Sequence, residues 1–139
     1  TIDAELIIPD KGAQGVITCA GAFSAGWSLY LLNNKPVFKY NVFEVADLRI
    51  EGKTALPKGK VNLSVQFIPD GSPTGGGNFK MLVNGAVVAE GKMARTAFRH
   101  GLEPFEVGRD TGTPVDHVYK SKGEFPFTGT INKVNFTLN

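Results

Sequence analysis

The sequence predicts an all-β domain in which two antiparallel sheets pack as a β-sandwich. Short runs rich in β-branched and aromatic residues follow one another, and the 17 glycines fall largely at the turns between them. Several runs alternate apolar and polar residues with a period of two, the pattern of a strand that buries one face. No window shows a convincing helical period.

Ten strands are expected in chain order, at residues 2–8, 14–22, 26–33, 36–43, 46–51, 60–68, 78–84, 86–95, 103–108 and 126–138. The alternation is clearest in three runs, whose apolar faces carry Trp27, Leu29 and Leu31; Val61, Leu63, Val65 and Phe67; and Val134, Phe136 and Leu138. The opposite face of each run is expected to be wet or lightly covered.

Turn residues indicate how these runs connect. Residues 33–36 (NNKP) join the third and fourth runs, which should therefore pair as a hairpin, and residues 56–60 (LPKGK) lead into the sixth. Residues 69–77 (PDGSPTGGG) contain no core-forming residue and predict a mobile connection. Asn84-Gly85 predicts a hairpin between the seventh and eighth runs, because a type I′ turn needs positive φ at both central residues.

Residues 108–126 predict a long loop punctuated by Gly, Pro and Asp. The segment is too polar for a core, and its Pro and Gly positions are too ordered for a flexible linker. Four side chains are therefore candidates for an interface or ligand-binding loop: Arg109, Asp110, Thr111 and Tyr119. For Arg109, a structural salt bridge to Asp110 or Glu106 is favoured over pairing with a carboxylate or sulfate group of a partner.

The bulk composition bounds the classes of function. The 139 residues show no repeat or long linker, so residues 1–139 are expected to form one globular domain. The net charge of +2, with scattered basic residues, argues against a dedicated nucleic-acid or membrane-surface binder. Because the chain begins at Thr1 within a strand-like run, it is interpreted as part of a larger protein, although processing of a shorter precursor would look the same.

No catalytic group stands out. Cys19 lies in an apolar run, far in sequence from His100 and His117, and is interpreted as a small buried hydrophobe that forms no internal disulfide. Glu103 and Glu106 are three apart, which places them on opposite faces of an extended strand, and are interpreted as surface charges. The chain also lacks the close-spaced ligands that zinc requires.

Two ligand sites remain as alternatives. Asp70, Asp110 and Asp116 lie in loops that offer oxygen ligands to calcium, although their spacing matches no calcium loop and turn capping is favoured. Four aromatic residues fall on the two runs expected to pair: Trp27, Tyr30, Phe38 and Tyr40. Trp27 and Phe38 are assigned to the core, whereas Tyr30 and Tyr40 stay candidates for stacking on sugars, because a phenol keeps one end near water or a partner.

Five segments, in order and over nearly the whole chain, resemble the carboxyl-terminal domain of large bacterial arylsulfatases of the sulfatase family. They are 21–43 (GAFSAGWSLYLLNNKPVFKYNVF), 56–71 (LPKGKVNLSVQFIPDG), 77–96 (GNFKMLVNGAVVAEGKMART), 107–119 (VGRDTGTPVDHVY) and 125–131 (FPFTGTI). One departure is Ala25, where the family tends to show Gly; a methyl group is tolerable there unless φ must be positive.

The resemblance implies a concanavalin A-like, laminin G-like β-sandwich, or jelly roll, behind a catalytic domain that hydrolyses sulfate esters. It places calcium and the formylglycine nucleophile in that upstream domain. The sulfatase signature, Cys followed by x-Pro-x-Arg, is absent, since Cys19 is followed by residues 20–23 (AGAF). No catalytic residue or cofactor is therefore assigned to this chain.

The expected function is that of a non-catalytic accessory domain that docks on the upstream sulfatase domain of the same chain, for stability or to shape its cleft. The alternative is a carbohydrate-binding module for sulfated glycans, because sandwich folds often bind sugars. A free-standing enzyme ranks last. Bacterial relatives are often exported, which favours a periplasmic location.

Overall fold

The computed structural model describes residues 1–97 and 103–138, which form two five-stranded antiparallel sheets packed as a sandwich. The strands are β1 (Ile2–Ile8), β2 (Gly15–Gly21), β3 (Ala25–Leu32), β4 (Lys35–Val42), β5 (Ala46–Glu51), β6 (Gly59–Pro69), β7 (Gly75–Val83), β8 (Ala86–Arg95), β9 (Phe105–Val107) and β10 (Thr130–Phe136). A short 3-10 helix spans His117–Lys122. The predicted fold class is confirmed. No helix in the described part of the chain has the length and apolar character needed to cross a membrane.

The two sheets have the strand orders β10-β1-β6-β7-β8 and β5-β4-β3-β2-β9. β5 of the second sheet packs against β8 of the first, so β9 and β10 lie together at the other side. Both β9 and β10 are edge strands, each with one strand neighbour. The first strands of the chain thus pair with the last ones, β1 with β10 and β2 with β9.

In β3 and β6 the core between the sheets is built largely from the alternating residues that the sequence predicted. Leu29 and Leu31 of β3 are fully buried, and they share this core with Leu63 of β6 and Met81 of β7. Each such side chain contributes about 1.5–3 kcal/mol when it leaves water. Strand alternation therefore supplies the main force that holds the two sheets together.

Both predicted hairpins are confirmed. Asn33 and Asn34 connect β3 to β4 with φ values of 50° and 60°, and Asn84 and Gly85 connect β7 to β8 with 49° and 84°. Ala25, in contrast, lies within strand β3 and is not among the residues with positive φ, so the family's glycine is not required there.

The connection predicted at residues 69–77 is shorter in the structure. β6 continues through Pro69 and β7 begins at Gly75, so the glycine run forms the start of a strand rather than a loop. A Cβ atom on Gly76 would lie 2.7 Å from the backbone oxygen of Ala94, and one on Gly77 would lie 2.4 Å from that of Ile68. These glycines therefore allow close packing of three strands.

The outer face of the second sheet, expected to be wet or lightly covered, is buried under a loop. Residues 108–126, which we call the covering loop, pack against β2, β3 and β4, whose residues are buried on both faces. This second hydrophobic cluster consists of Val16, Cys19, Tyr30, Val37, Val115, Tyr119 and Phe125. The prediction that the loop is too polar to contribute to a core is therefore wrong.

Candidate functional site

The covering loop contains several of the residues singled out from the sequence, and backbone hydrogen bonds attach it to β2. The amide of Gly108 donates to the carbonyl of Ile17 at 2.9 Å, and the amide of Val16 donates to the carbonyl of Phe125 at 2.8 Å. Gly108 itself has a φ of 88°, a conformation that side chains rarely adopt, at the point where the chain leaves β9. Both ends of the loop are thus fixed to the same strand.

Tyr119 and Asp110 form a buried pair beneath this loop. The Tyr119 hydroxyl donates to Asp110 Oδ2 at 2.7 Å and lies 3.2 Å from Ser28 Oγ on β3. The amide of Val115 donates to the same Asp110 oxygen at 3.2 Å. Burial raises the pKa of Asp110, and the hydrogen bonds from Tyr119 and Val115 oppose that rise.

Tyr30 and Asp116 form a second buried pair. The Tyr30 hydroxyl donates to Asp116 Oδ2 at 2.7 Å, and Arg49 Nε donates to the same oxygen at 3.2 Å. Asp116 Oδ1 accepts from the amide of Val118 at 3.0 Å, so the carboxylate also caps the 3-10 helix. Burial raises the pKa of Tyr30, and the hydrogen bond to Asp116 raises it further.

The three calcium candidates are placed in different surroundings. Asp110 and Asp116 are buried and use their oxygens for the internal hydrogen bonds just described, as the turn-capping alternative predicted. Asp70 lies in the β6–β7 turn, where it accepts from the amide of Ser72 at 2.9 Å and faces Lys92 Nζ at 3.6 Å. The sequence places all three in turns, but it does not reveal that two of them are buried.

One group of possible metal ligands does come together within the described residues. The ligand atoms of Cys19, Glu106 and Asp110 all lie within 4.8 Å of one another. However, both Glu106 oxygens accept hydrogen bonds from Thr111, from its amide and its hydroxyl, at 2.7 Å each. Burial also raises the pKa of the Cys19 thiol, with Asp110 adding to the effect, so the thiolate needed for metal binding or nucleophilic attack is disfavoured.

The remaining loop candidates have ordinary surface roles. Arg109 is exposed and lies 3.7 Å from a Glu124 oxygen, so it forms its ion pair with Glu124 instead of the expected Asp110 or Glu106. Thr111 is exposed, and its hydroxyl donates a hydrogen bond to the Glu106 carboxylate. Of the two histidines, His117 stacks on Phe23 with ring centroids 3.5 Å apart, and His100 lies outside the described residues.

Tyr30 and Tyr40 do not present their rings to solvent. Tyr30 is 0% exposed and Tyr40 5% exposed. The Tyr40 hydroxyl accepts from the amide of Ala97 at 3.0 Å, so this phenol, like that of Tyr30, finds its polar partner inside the protein. The two side chains proposed for sugar stacking are therefore buried, whereas Phe38 lies in the core as predicted and Trp27 packs half-buried against it.

An exposed aromatic surface, which local sequence does not reveal, lies at the open side of the sandwich. Phe105 of β9 is 53% exposed and Phe136 of β10 is 42% exposed, with ring centroids 5.1 Å apart. The Trp27 ring lies 6.2 Å from the first and 6.1 Å from the second. Leu138, which the alternation assigned to a buried face, is 96% exposed, because β10 is an edge strand that ends at Phe136. We call Trp27, Phe105, Phe136 and Leu138 the edge patch.

A cavity of about 340 Å³ opens beside the edge patch, between the ends of the two sheets. Thr1, Trp27 and Leu138 line it together with Phe67 and Phe79 of the first sheet. Most of the described residues that line it carry aliphatic or aromatic side chains. The cavity is therefore suited to apolar groups.

The thiol, carboxylates and phenols selected from the sequence are thus all engaged in interactions within the domain. Five of them hold or contact the covering loop: Cys19, Tyr30, Asp110, Asp116 and Tyr119. Asp70 and Tyr40 make their hydrogen bonds elsewhere, in the β6–β7 turn and with Ala97. A scan against protein-family models found no match for this chain, and a search of curated proteins found none either.

Proposed function

We propose that this chain is a non-catalytic, carboxyl-terminal accessory domain of an arylsulfatase-like protein, on whose preceding catalytic domain it packs. The observation that carries the proposal is the inward use of the polar groups of the covering loop. Asp110, Asp116 and Tyr119 are each no more than 4% exposed, and each is hydrogen-bonded within the domain. The parent activity, hydrolysis of sulfate esters, is proposed because five segments of this chain resemble the sulfatase family.

The inward hydrogen bonds favour a structural role, because buried polar groups destabilise the fold unless each of them has a partner. Each buried donor or acceptor left without a partner would cost about 1–3 kcal/mol, so paired groups fix the loop firmly on the sheet. A binding or catalytic loop would instead keep carboxylates or phenols open to a ligand. The domain would therefore add stability to the parent or shape the rim of its cleft, whereas calcium and formylglycine would belong to the catalytic domain.

The carbohydrate-binding alternative has less support. It was based on the tendency of sandwich folds to bind sugars, and its candidate stacking residues, Tyr30 and Tyr40, have buried rings. The exposed rings of Phe105 and Phe136 meet at 76°, so they do not form the flat platform on which a sugar ring stacks. We therefore propose the accessory role alone, in an exported protein as the resemblance implies.

The proposal is tested with the product of the complete gene, the same protein lacking residues 1–139, and the isolated domain. We expect the complete protein to hydrolyse a chromogenic aryl sulfate and the isolated domain to show no turnover. Removing the domain should lower the melting temperature or the activity of what remains. As a control, Cys19→Ser in the complete protein should leave turnover unchanged, because this thiol is not the formylglycine precursor.

Three results would contradict the proposal. One is sulfate ester hydrolysis by the isolated domain. Another is a gene that encodes no catalytic domain before Thr1. The third is a truncated protein whose activity and melting temperature both equal those of the complete one.

A further inference from the structure

We infer that the edge patch is the surface through which this domain docks on the catalytic domain that precedes it, an inference that rests on the proposed function. The patch joins residues from both sheets, with Trp27 and Phe105 from the second and Phe136 and Leu138 from the first or its end. Contiguous exposed aromatic surface of this kind marks protein interaction sites.

The strands that carry the patch also need cover. β9 and β10 are the edge strands on the same side of the sandwich, and each has one strand neighbour. Open strand edges expose unpaired backbone groups, which proteins protect with charges, bulges or a covering element. β9 is only 3 residues long and β10 carries the exposed Lys133, so the two edges are partly protected. Phe105, Val107 and Phe136 nevertheless leave exposed apolar side chains on the same two strands. A partner that covers this side would remove the apolar side chains from water and would protect the unpaired backbone groups of both edge strands.

The chemistry of the patch favours a protein surface over a sugar. The rings of Trp27, Phe105 and Phe136 are inclined to one another by 48° to 76°, so they form an uneven apolar surface instead of a flat one. The neighbouring cavity has few polar groups that could bind sugar hydroxyls. Such a surface fits apolar side chains that project from a folded domain.

The position of Thr1 selects the domain that precedes it as the occupant. The amino group of Thr1 donates to the carbonyl of Thr137 at 2.8 Å, which places it next to Leu138, and Thr1 lines the cavity together with Trp27. The start of β1 therefore lies beside the edge patch. A domain tethered at this point has a high effective concentration beside the patch, which favours docking within one chain.

The test uses the complete gene product with a specific protease site inserted immediately before Thr1. After cleavage, we expect the two parts to elute together from a gel-filtration column. The variant Phe105→Ser/Phe136→Ser should release the domain, because each truncated ring is expected to weaken docking roughly tenfold. The matched control is Val87→Ser, an equally exposed apolar residue (51%) on β8, which should leave the parts together. Circular dichroism establishes that each variant is folded.

The outcomes separate this inference from the proposed function. If the parts remain together in the double variant, or separate already without it, the edge patch is not the docking surface, although the catalytic domain is present. If the released domain forms a dimer that the double variant converts to a monomer, the occupant is a second copy and the inference is overturned. A gene product without sulfatase activity would instead overturn the proposed function.

Discussion

Asp110 illustrates how single residues hold the covering loop in place. The residue is 3% exposed, and its carboxyl group receives hydrogen bonds from the Tyr119 hydroxyl and the Val115 amide. Burial nevertheless dominates and raises the pKa of Asp110 above the ordinary carboxyl value of 3.8. Asp70, exposed in the β6–β7 turn, shows the opposite behaviour, because hydrogen bonds from Ser72 lower its pKa. The two carboxyl groups therefore couple stability to pH with opposite signs.

We predict that Asp110→Asn and Asp70→Asn change the pH dependence of the unfolding free energy in opposite directions. A raised pKa means that folded Asp110 holds a proton that the unfolded chain has lost, so its contribution to stability falls as pH rises above 3.8. Asp110→Asn should remove this decline and gain stability relative to the native protein as pH rises. Asp70 contributes stability above 3.8 that is lost as pH falls through its folded pKa, so Asp70→Asn should lose relative stability as pH rises.

Urea unfolding from about pH 3 to pH 7 measures both differences, over the range in which carboxyl groups titrate. The two substitutions are matched in chemistry and differ in burial. The assignment would be contradicted if the two variants differed from the native protein with the same pH slope, or if the difference between Asp110→Asn and the native protein did not change with pH.

The burial of these polar residues could not be predicted from local sequence. Asp and Tyr in a Gly- and Pro-rich segment usually lie at the surface, which is why an exposed loop is expected there. Tyr30 and Asp116 are buried because they satisfy each other, although 86 positions separate them in sequence. A usable signal is the run at residues 16–19, which lacks clear alternation and so indicates a strand with both faces covered.

At the scale of elements, glycines serve two distinct needs. Gly76 lies where β7 passes close to β8, and a Cβ atom there would contact the backbone oxygens of Ala94 at 2.7 Å and Met93 at 2.9 Å. Gly85 lies in the β7–β8 turn with a φ of 84°, and a Cβ atom there would meet no other atom within 4 Å. The first glycine provides space and the second provides a backbone conformation.

We predict that Gly76→Ala destabilises the protein by about 3 kcal/mol, near the upper end for overpacking, since backbone atoms cannot easily move aside. Gly85→Ala should cost about 1 kcal/mol, the penalty for a left-handed conformation. Gly85→Asn should recover most of that loss, because Asn tolerates this conformation, whereas Gly76→Asn should not. Chemical denaturation of the four variants tests the order, and equal costs at both positions would refute it.

Elements with strong local signals could be predicted closely. Strand alternation and the turn at Asn84-Gly85 located β6, β7 and β8 within a few residues. The 3-10 helix at His117–Lys122 was not predicted, because six residues are too few to show a helical period. The glycines at 75–77 were predicted to lie in a loop but begin β7. Gly76 and Gly77 are needed there because the neighbouring strands pack closely, and this need cannot be recognised from local sequence.

At the scale of the molecule, the second sheet is shared by two hydrophobic clusters. Leu29 of β3 points into the core between the sheets, whereas Tyr30, the next residue, points into the cluster beneath the covering loop. Val115 lies in that second cluster and is fully buried. Because the same strands support both clusters, loosening either should weaken the other.

We predict that the sheets and the covering loop unfold in one transition. Val115→Ala should cost about 2 kcal/mol and Leu29→Ala about 2–5 kcal/mol, from lost burial and the cavity left behind. In both variants, fluorescence of Trp27, the single tryptophan, and near-ultraviolet circular dichroism of the tyrosines should report the same urea midpoint. An earlier loss of the tyrosine signal in Val115→Ala would show that the loop unfolds separately.

The pairing of strands that are distant in sequence was the feature hardest to predict. Hairpin turns identified the pairs β3–β4 and β7–β8, but the pairing of β1 with β10 and of β2 with β9 has no local signal. The edge patch depends on these distant pairings, because they bring Phe105 and Phe136 to one side. It could therefore be recognised only in three dimensions.

The pairing of the earliest strands with the latest ones has a consequence for biosynthesis. A ribosome adds about 5–20 residues per second, so β1 and β2 wait roughly ten seconds for β9 and β10 to be made. Until then neither sheet has its full set of strands. Completion of the fold must follow the emergence of β10 from the exit tunnel, and the slow search for distant partners sets its rate. The apolar faces of β1 and β2 therefore stay incompletely covered until β9 and β10 have been made.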